Sequence, residues 1–428
     1  MALWYNPTAM EKIIPRTTCR ISNEPLVPLF SLGDLYLSGF LPKGAQPTAS
    51  QKVPLEMTLA PLSGLVQLAH TAPSDEMYRE YWYRSDTNES MVEELKQIAT
   101  STARLMRVSV GDVWIDIGCN DGTLLSHVPQ EAARIGYDPN DYKEISQQHA
   151  DLIVNDYFNA AAYHKSPYKK AKVITSIAMF YDLEDPHAFV QDIYDVLEDN
   201  GMWVMQMSYL PLMLEQLAFD NICHEHLEYY SLTALKHLLD RHHFQIVDCQ
   251  LNDINGGSFR VYIRKKGADA STFATAPYRD VAAFRVASIL DHEKHLKLDD
   301  PETYLAFYRK SCDLRDQTLA FLRTEKAKGK KIWGYGASTK GNTLLQWWGI
   351  DHTLLDGIAE RQPAKYGLKT IGTNIPIASD EDMRKAKPDY LFVLPWHFIE
   401  SFVRREQDFL KSGGAFIVPC PRFEVIRG

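Results

Sequence analysis

Asp116-Ile117-Gly118-Cys119-Asn120-Asp121-Gly122 completes the hydrophobic run VWIDIG and leads into LLSHV, which has the character of a helix start. An apolar strand passing through two glycines into a helix is the turn on which open α/β sheets are built. Glycines at 118 and 122 let backbone approach a ligand where a side chain would obstruct it, and Asp116 offers an acceptor to a ligand amine. Further strands follow at ARIGYD, DLIVND, KVITSIAMF, GMWVMQMSY, FQIVDCQL and SFRVYIRKK, with helical stretches in the first gaps. Seven strands in this rhythm predict one largely parallel, doubly wound sheet running to about Lys266. Asp138 ends the second strand, twenty-two residues beyond Asp116, where a ribose diol meets a carboxylate in such folds.

The flanks have different patterns. Residues 1–75 are rich in proline and short apolar runs, SLGDLYLSGFLP and SGLVQLAH among them, and read as a small β-rich module. From Asp75 to Val108 the period becomes helical, with Met91, Leu95, Ile98 and Ala99 on one face. A helical stretch from Tyr278 to Lys328 leads into KIWGYGAS, LLDGIAE, DYLFVLP and GAFIVP, the strands of a second, smaller α/β domain. The predicted division is therefore 1–75, 76–266 and 267–428, three units within 428 residues.

Composition narrows the function classes. With 45% hydrophobic and 24% charged residues the chain is ordinary globular protein. Its net charge of −9 argues against a generally basic nucleic-acid surface, while a local basic pocket for a phosphorylated ligand stays open. No apolar run is long enough for a membrane span, and no signal-peptide core precedes Glu11 and Lys12, so a cytoplasmic protein is expected. The six cysteines are scattered and read as free thiols.

Three further signals carry chemistry. Asn155 to Phe158, NDYF, follows the third strand and adds to the acid after the second strand as a ligand-site signal. The segment Asp220-Asn221-Ile222-Cys223-His224-Glu225-His226-Leu227-Glu228-Tyr229-Tyr230 packs imidazoles, carboxylates, a thiol and phenols between two strands. Three readings compete for it. One is a general base, a histidine oriented by a carboxylate. Another is a metal site, because on a strand His224 and His226 point the same way, whereas on a helix they lie about 200° apart. The last is a polar helix start with surface histidines. The third signal, Gly334-Tyr335-Gly336-Ala337-Ser338-Thr339-Lys340-Gly341-Asn342-Thr343, again runs a strand through glycines into a helix, and Lys340 adds a cation suited to an anion. Thr339 stands where a dinucleotide fingerprint needs its third glycine, which weakens a redox reading. Arg361 and Lys365 are further phosphate candidates. His242 and His243 read as a solvated helix end, His187 as a first-turn helix residue, and Trp347-Trp348 as packing.

The D-x-G-x-x-x-G order at 116–122 resembles the first motif of class I S-adenosylmethionine-dependent methyltransferases. Taken with YWYRSDTN (81–88), FYDLEDP (180–186), ICHEHLEYYS (222–231), NGGSFRVY (255–262), GYGASTKGNTLL (334–345), LPWHF (394–398) and GGAFIVPCP (413–421), the whole chain resembles the NDP-hexose 3-C-methyltransferases. That resemblance implies a central α/β methyltransferase domain, an N-terminal zinc-binding domain and a C-terminal Rossmann-like domain, with a nucleotide-sugar between the last two. It implies S-adenosylmethionine held by Asp116, Gly118, Asn120, Asp121, Gly122, Asp138, Asp156, Phe158 and Ser176, with Asp156 or the backbone at Phe158 facing the adenine. It assigns catalysis to His226 as base, Glu225 as its orienting carboxylate, Tyr83 and Tyr181 as hydrogen-bond donors, and His224. Substrate contacts fall on Asn255, Ser258, Arg260, Tyr335, Ser338, Lys340, Asn342 and Arg361.

The chain departs from the family in its N-terminal domain. Where the family presents two C-x-x-C pairs, this sequence has Cys19 and Ser22, then Ala60 and Ser63. Hydroxyl and methyl groups do not replace thiolates on zinc, so no zinc is expected and apolar packing is expected to hold the module. Cys223 and Tyr181 also stand where some members have tyrosine and histidine, which leaves the second acid/base group open. The expected partner is a nucleotide-diphosphate keto-deoxysugar, with no nucleic acid or membrane and a monomer or weak homo-oligomer as the assembly. Alternatives are methyl transfer to a sugar oxygen or nitrogen, and a non-catalytic nucleotide-sugar-binding protein.

Overall fold

The computed structural model describes residues 13–48, 51–72, 77 and 83–428; Tyr81 and Trp82 of the YWYRSDTN motif and the expected helix start at Asp75 lie outside them. The helix runs over Glu89–Met106, capped by the Asn88 side chain at Ser90 N–H and ended by Arg107 in the left-handed region. Met91, Leu95, Ile98 and Ala99 are its buried face, each larger side chain contributing about 1.5–3 kcal/mol by burial.

The central sheet has seven strands in the order Phe244–Asn252, Ser258–Lys265, Leu197–Ser208, Ala171–Ile177, Val113–Ile117, Ala133–Tyr137 and Leu152–Val154. Neighbours from Leu197–Ser208 to Leu152–Val154 are parallel, while Ser258–Lys265 runs antiparallel to both its neighbours. This is the class I methyltransferase arrangement, with one reversed strand inserted near an edge. Strand order changes direction between Val113–Ile117 and Ala171–Ile177, which opens a ligand crevice at their carboxyl ends. LLSHV does not start a long helix: it forms a single turn at Leu125–His127, cut short by Pro129.

The N-terminal residues form a four-stranded antiparallel sheet, in the order Glu228–Tyr229, Leu65–Leu68, Lys52–Ala60, Val27–Tyr36. Its edge strand comes from the CHEHLEYY segment, which sequence reading kept wholly inside the central sheet's connections. Phe40–Pro42 pairs with Leu368–Thr370, so the module is stitched to the C-terminal region as well.

Helices Ala276–His295 and Pro301–Ala327 bridge to the second α/β unit. The Glu293 carboxylate accepts from Tyr209 Oη (2.7 Å), Leu232 N–H (2.7 Å) and Thr233 N–H (2.8 Å), which locks this bridge to the central unit. The C-terminal sheet runs Ile377–Ser379, Ile358–Glu360, Ile332–Tyr335, Tyr390–Val393, Ala415–Val418, Glu424–Arg427, parallel except for the last strand. Its switch point lies between Ile332–Tyr335 and Tyr390–Val393, where GYGASTK and LPWHF emerge together. Trp348 stacks on Phe219 with centroids 5.0 Å apart, and the His187 ring meets His242 and the Ile21 carbonyl. Among the described residues no helix is long and apolar enough to cross a membrane.

Candidate active site

The crevice of the central sheet is lined by the turn that follows Val113–Ile117. Thr175 stands opposite Asp116 in the strand register, and its hydroxyl donates to Asp116 Oδ1 at 2.7 Å. Burial raises the Asp116 carboxyl to about 7 against that hydrogen bond. Gly118 (φ +74°) and Gly122 (φ +81°) are left-handed, and a Cβ on either would stand 3.0 Å from Met179 Cγ or Ser146 Cα. Asp138 accepts from Asn120 N–H and Asn140 N–H, both at 2.9 Å, so the second-strand acid and the turn are one unit. Asn120 in turn accepts from Ser85 N–H at 3.1 Å and donates to the Tyr83 carbonyl at 3.1 Å, while Asp121 accepts from Asp86 N–H at 2.9 Å. Residues 83–86 are thereby pinned over the turn, with the Tyr83 hydroxyl under the charges of Asp121 and Asp86. Asp156 is exposed at the rim and accepts from Tyr157 N–H.

The CHEH segment is neither strand nor helix. Residues 223–226 make a tight turn closed by His226 N–H on the Cys223 carbonyl at 3.2 Å. The turn sends the two imidazoles apart. His224 Nε2 meets the Val53 carbonyl of the N-terminal sheet at 3.0 Å, so His224 faces away from the crevice and is corrected from a catalytic to a packing residue. His226 Nδ1 donates to the Asn221 carbonyl at 2.8 Å, which leaves Nε2 as the basic nitrogen. Its ring lies 4.3 Å from the Tyr181 ring. The orienting partner is thus a carbonyl; Glu225 instead interacts with Ser38 and Cys223. Burial, and then the Lys340 charge, pushes His226 down to about 3. The divergence of His224 and His226 removes the metal reading of this segment, and among the described residues no cluster of three metal-ligating side chains exists.

The second switch point meets this turn. Ser338 caps the helix Thr339–Trp348 through Gly341 N–H. A Cβ at Gly336 would stand 2.7 Å from Pro395, which is why the two loops can touch. Lys340 Nζ donates to Asn221 Oδ1, and Trp396 Nε1 donates to Asp220 Oδ2 at 3.1 Å. A small cavity of about 10 Å³, room for one water, lies between Tyr181, Gln206, Asn255 and Ser258.

Several expected site residues point elsewhere. Ser176 is fully buried with its hydroxyl on Trp203 Nε1 (2.8 Å) and does not reach the crevice. The Phe158 ring packs edge-on against Tyr137 and Phe189, which leaves the expected contact through its backbone untouched. Arg260 is 4% exposed and bound to Glu94 (2.6 Å) and Gln206 (2.9 Å), so it braces the crevice floor instead of contacting a ligand. Tyr335 is buried with its hydroxyl on Glu406 (2.7 Å), and Asn342 is buried beneath the helix start. Lys365 donates to the Ala337 carbonyl at 2.8 Å. Arg361 is exposed, in a groove of about 540 Å³ with Tyr366, Asp380 and Arg384. Sequence reading missed Asn221, Asp182, Asp220 and His397 as site residues, although each lies inside a motif it had quoted. Burial raises the carboxyls of Asp182 and Asp220, and burial with Lys340 lowers His397 to about 3.

The four family zinc positions do not fit the metal, since one thiol, two hydroxyls and a methyl make no zinc donor set. Cys19 Sγ lies 3.4 Å from Ser63 Oγ. Apolar packing is present, but a carboxylate joins the two turns: Glu24 accepts from Leu62 N–H, Ser63 N–H and the Ser22 hydroxyl, each at 2.8 Å.

A reversed-strand α/β sheet with an acid-glycine turn at its switch point, joined to a second α/β unit that closes on a buried histidine, defines a class of methyl-transfer enzyme. Residues 78–248 match the methyltransferase domain family and residues 253–421 the C-methyltransferase C-terminal domain family. Two stretches of the chain thus match models of methyltransferases, the second of them of C-methyltransferases. It is 26% identical to the C-methyltransferase NovU of Streptomyces niveus over 424 residues, 97% of this chain and 99% of that protein. Solved structures with partial likeness include the plantazolicin methyltransferase BpumL in complex with SAH (12% identity, 42% of this chain and 87% of that one, TM-score 0.34). Another is the magnesium protoporphyrin IX methyltransferase of Synechocystis PCC 6803 with bound SAH (13%, 41% and 83%, TM-score 0.32).

Proposed function

We propose that this enzyme methylates a carbon adjacent to the ketone of a nucleotide-linked keto-deoxysugar, at C3 beside a 4-keto group. Bound S-adenosylmethionine supplies an electrophilic methyl group. Asp116, Asp121 and Asp138 suit it, because a carboxylate-lined turn favours a ligand that carries a sulfonium, an amine and a ribose diol. The left-handed glycines let the turn pack closely on Met179 and Ser146 while keeping its backbone bare.

The observation that carries the reading is the tautomer of His226. With Nδ1–H committed to the Asn221 carbonyl, Nε2 is a fixed acceptor beside Tyr181. A carbon-bound proton is acidic only next to a carbonyl, and the free Nε2 is the nitrogen placed to take it; burial makes it a weak base at rest, so the proton moves together with charge forming on the carbonyl oxygen. Tyr181, Asn255 and Ser258, which share the small cavity, line the same end of the sheet and suit the sugar hydroxyls. The exposed Arg361 and the N–H groups at the start of Thr339–Trp348 suit a diphosphate.

The experiment is solvent exchange without the methyl donor. Incubation of the keto-sugar nucleotide with enzyme in D₂O is expected to place deuterium at the carbon next to the ketone. Absence of exchange, with a methylated product that keeps all its C–H bonds, would instead establish transfer to oxygen or nitrogen.

A further inference from the structure

We propose that Lys340 is a catalytic residue: its ammonium faces the substrate carbonyl oxygen and holds the negative charge that develops there when His226 removes the neighbouring proton. This rests on the carbon-acid reading above and gives Lys340 a role other than gripping a diphosphate.

Asn221, which is 2% exposed, holds both groups. Its side-chain oxygen accepts from Lys340 Nζ, and its backbone oxygen accepts from His226 Nδ1. The ammonium and the base are therefore fixed on two oxygens of one residue, although they come from different α/β units and Lys340 is 119 residues away in sequence. An ammonium has three N–H groups, and among the described residues only one is committed, to Asn221 Oδ1. The Lys340 charge also reaches the buried carboxyl groups of Asp182, Asp220 and Glu225.

The charge balance of the step supplies the reason for a lysine here. The C–H bond breaks, its electron pair forms the C=C bond, the carbonyl π pair moves to oxygen, and the proton ends on His226 Nε2. An imidazolium formed alone beside an ammonium is disfavoured, and the Lys340 charge does lower the basicity of His226. The step becomes favourable when an enolate oxygen forms at the same moment between the two cations. Preorganised charge aimed at a developing oxyanion is commonly the largest single contribution to such a barrier.

The test compares wild type, K340M and K340R by exchange of the carbon-bound proton in D₂O at saturating keto-sugar nucleotide without methyl donor. Calorimetry with uridine, thymidine and guanosine diphosphates is run in parallel. The expectation is a loss of exchange of about 10²–10³-fold in K340M, partial recovery in K340R, and nucleoside diphosphate affinity within about threefold of wild type. If K340M fails to fold by thermal melting, K340Q removes the charge in its place. Wild-type exchange that persists undiminished in the charge-removing variant overturns the proposal. A tenfold weaker nucleoside diphosphate affinity with unchanged exchange at saturation would make Lys340 a phosphate anchor. Absence of exchange in wild type defeats the carbon-acid reading itself, and with it the proposal.

Discussion

Glu24 directs its carboxylate at N–H and hydroxyl donors of its own module, and Arg260 divides its guanidinium between Glu94 and Gln206. Beside the Asn221 turn, Asp182 and Asp220 each keep a buried carboxyl oxygen with no hydrogen-bond partner among the described residues. Buried polar groups are nearly always paired, because an unpaired one costs about 1–3 kcal/mol. Next to the His226 imidazole and the Lys340 ammonium, these two oxygens mark room for a ligand to complete the bonding, which the closed contacts of Glu24 and Arg260 do not offer. The contrast separates residues whose loss lowers stability from residues whose loss lowers turnover.

His226→Asn carries the largest expected effect. A well-placed base contributes about 10²–10⁴ in rate, so turnover should fall by at least two orders of magnitude while calorimetric affinity for S-adenosylmethionine stays within about twofold. Near-wild-type turnover would move the base elsewhere. Arg260→Met tests the closed side. Removing one partner of the buried pair leaves Glu94 uncompensated and costs about 3–5 kcal/mol, so the denaturant midpoint should drop while KM at low temperature holds. A raised KM with an unchanged midpoint would put Arg260 back among ligand contacts.

Acid sharpens the comparison between the two histidines of the turn. Burial holds His224 at about 4, below its value in the unfolded chain, so the unfolded state binds the proton first as pH falls. Stability from this one group is complete above pH 6.5 and declines as pH drops toward 4, by about 3 kcal/mol. His224→Asn should reduce the dependence of the denaturant midpoint on pH across that window, leaving the share of His226 and His397, without a loss of turnover at pH 7.5. An equally steep dependence in the variant would clear His224. Glu24→Gln is the smallest effect. An amide keeps one acceptor oxygen where the carboxylate had two, for a loss of about 1 kcal/mol, and incubation with a zinc chelator should leave the melting temperature of the wild type unchanged. A chelator-induced drop would show a metal joining the two turns.

The turn at the central switch point was legible because its pattern is local. A strand, two glycines and an acid after the next strand fix backbone and charge within a short stretch, and Asp138 takes the Asn120 N–H between Gly118 and Gly122. Side-chain direction was not legible. Ser176 and Arg260 lie on strands whose two faces look alike in sequence, both being buried among polar partners. His224 and His226 were weighed as strand or helix, and the turn at 223–226 obeys neither period. The Asn221–Lys340 bond lies beyond any local pattern, since it depends on how two α/β units dock. The small strands at 228–229 and 368–370 form only by pairing with the N-terminal module, so their own residues carry too little signal.

The central claim is that a new carbon–carbon bond forms on the sugar. The most direct measurement is the NMR spectrum of the product made from uniformly ¹³C-labelled keto-sugar nucleotide and [methyl-¹³C]S-adenosylmethionine. The account predicts one-bond ¹³C–¹³C coupling between the transferred methyl and the ring carbon next to the ketone. A methyl signal with no one-bond carbon coupling, as in a methyl ether or an N-methyl amine, would contradict it.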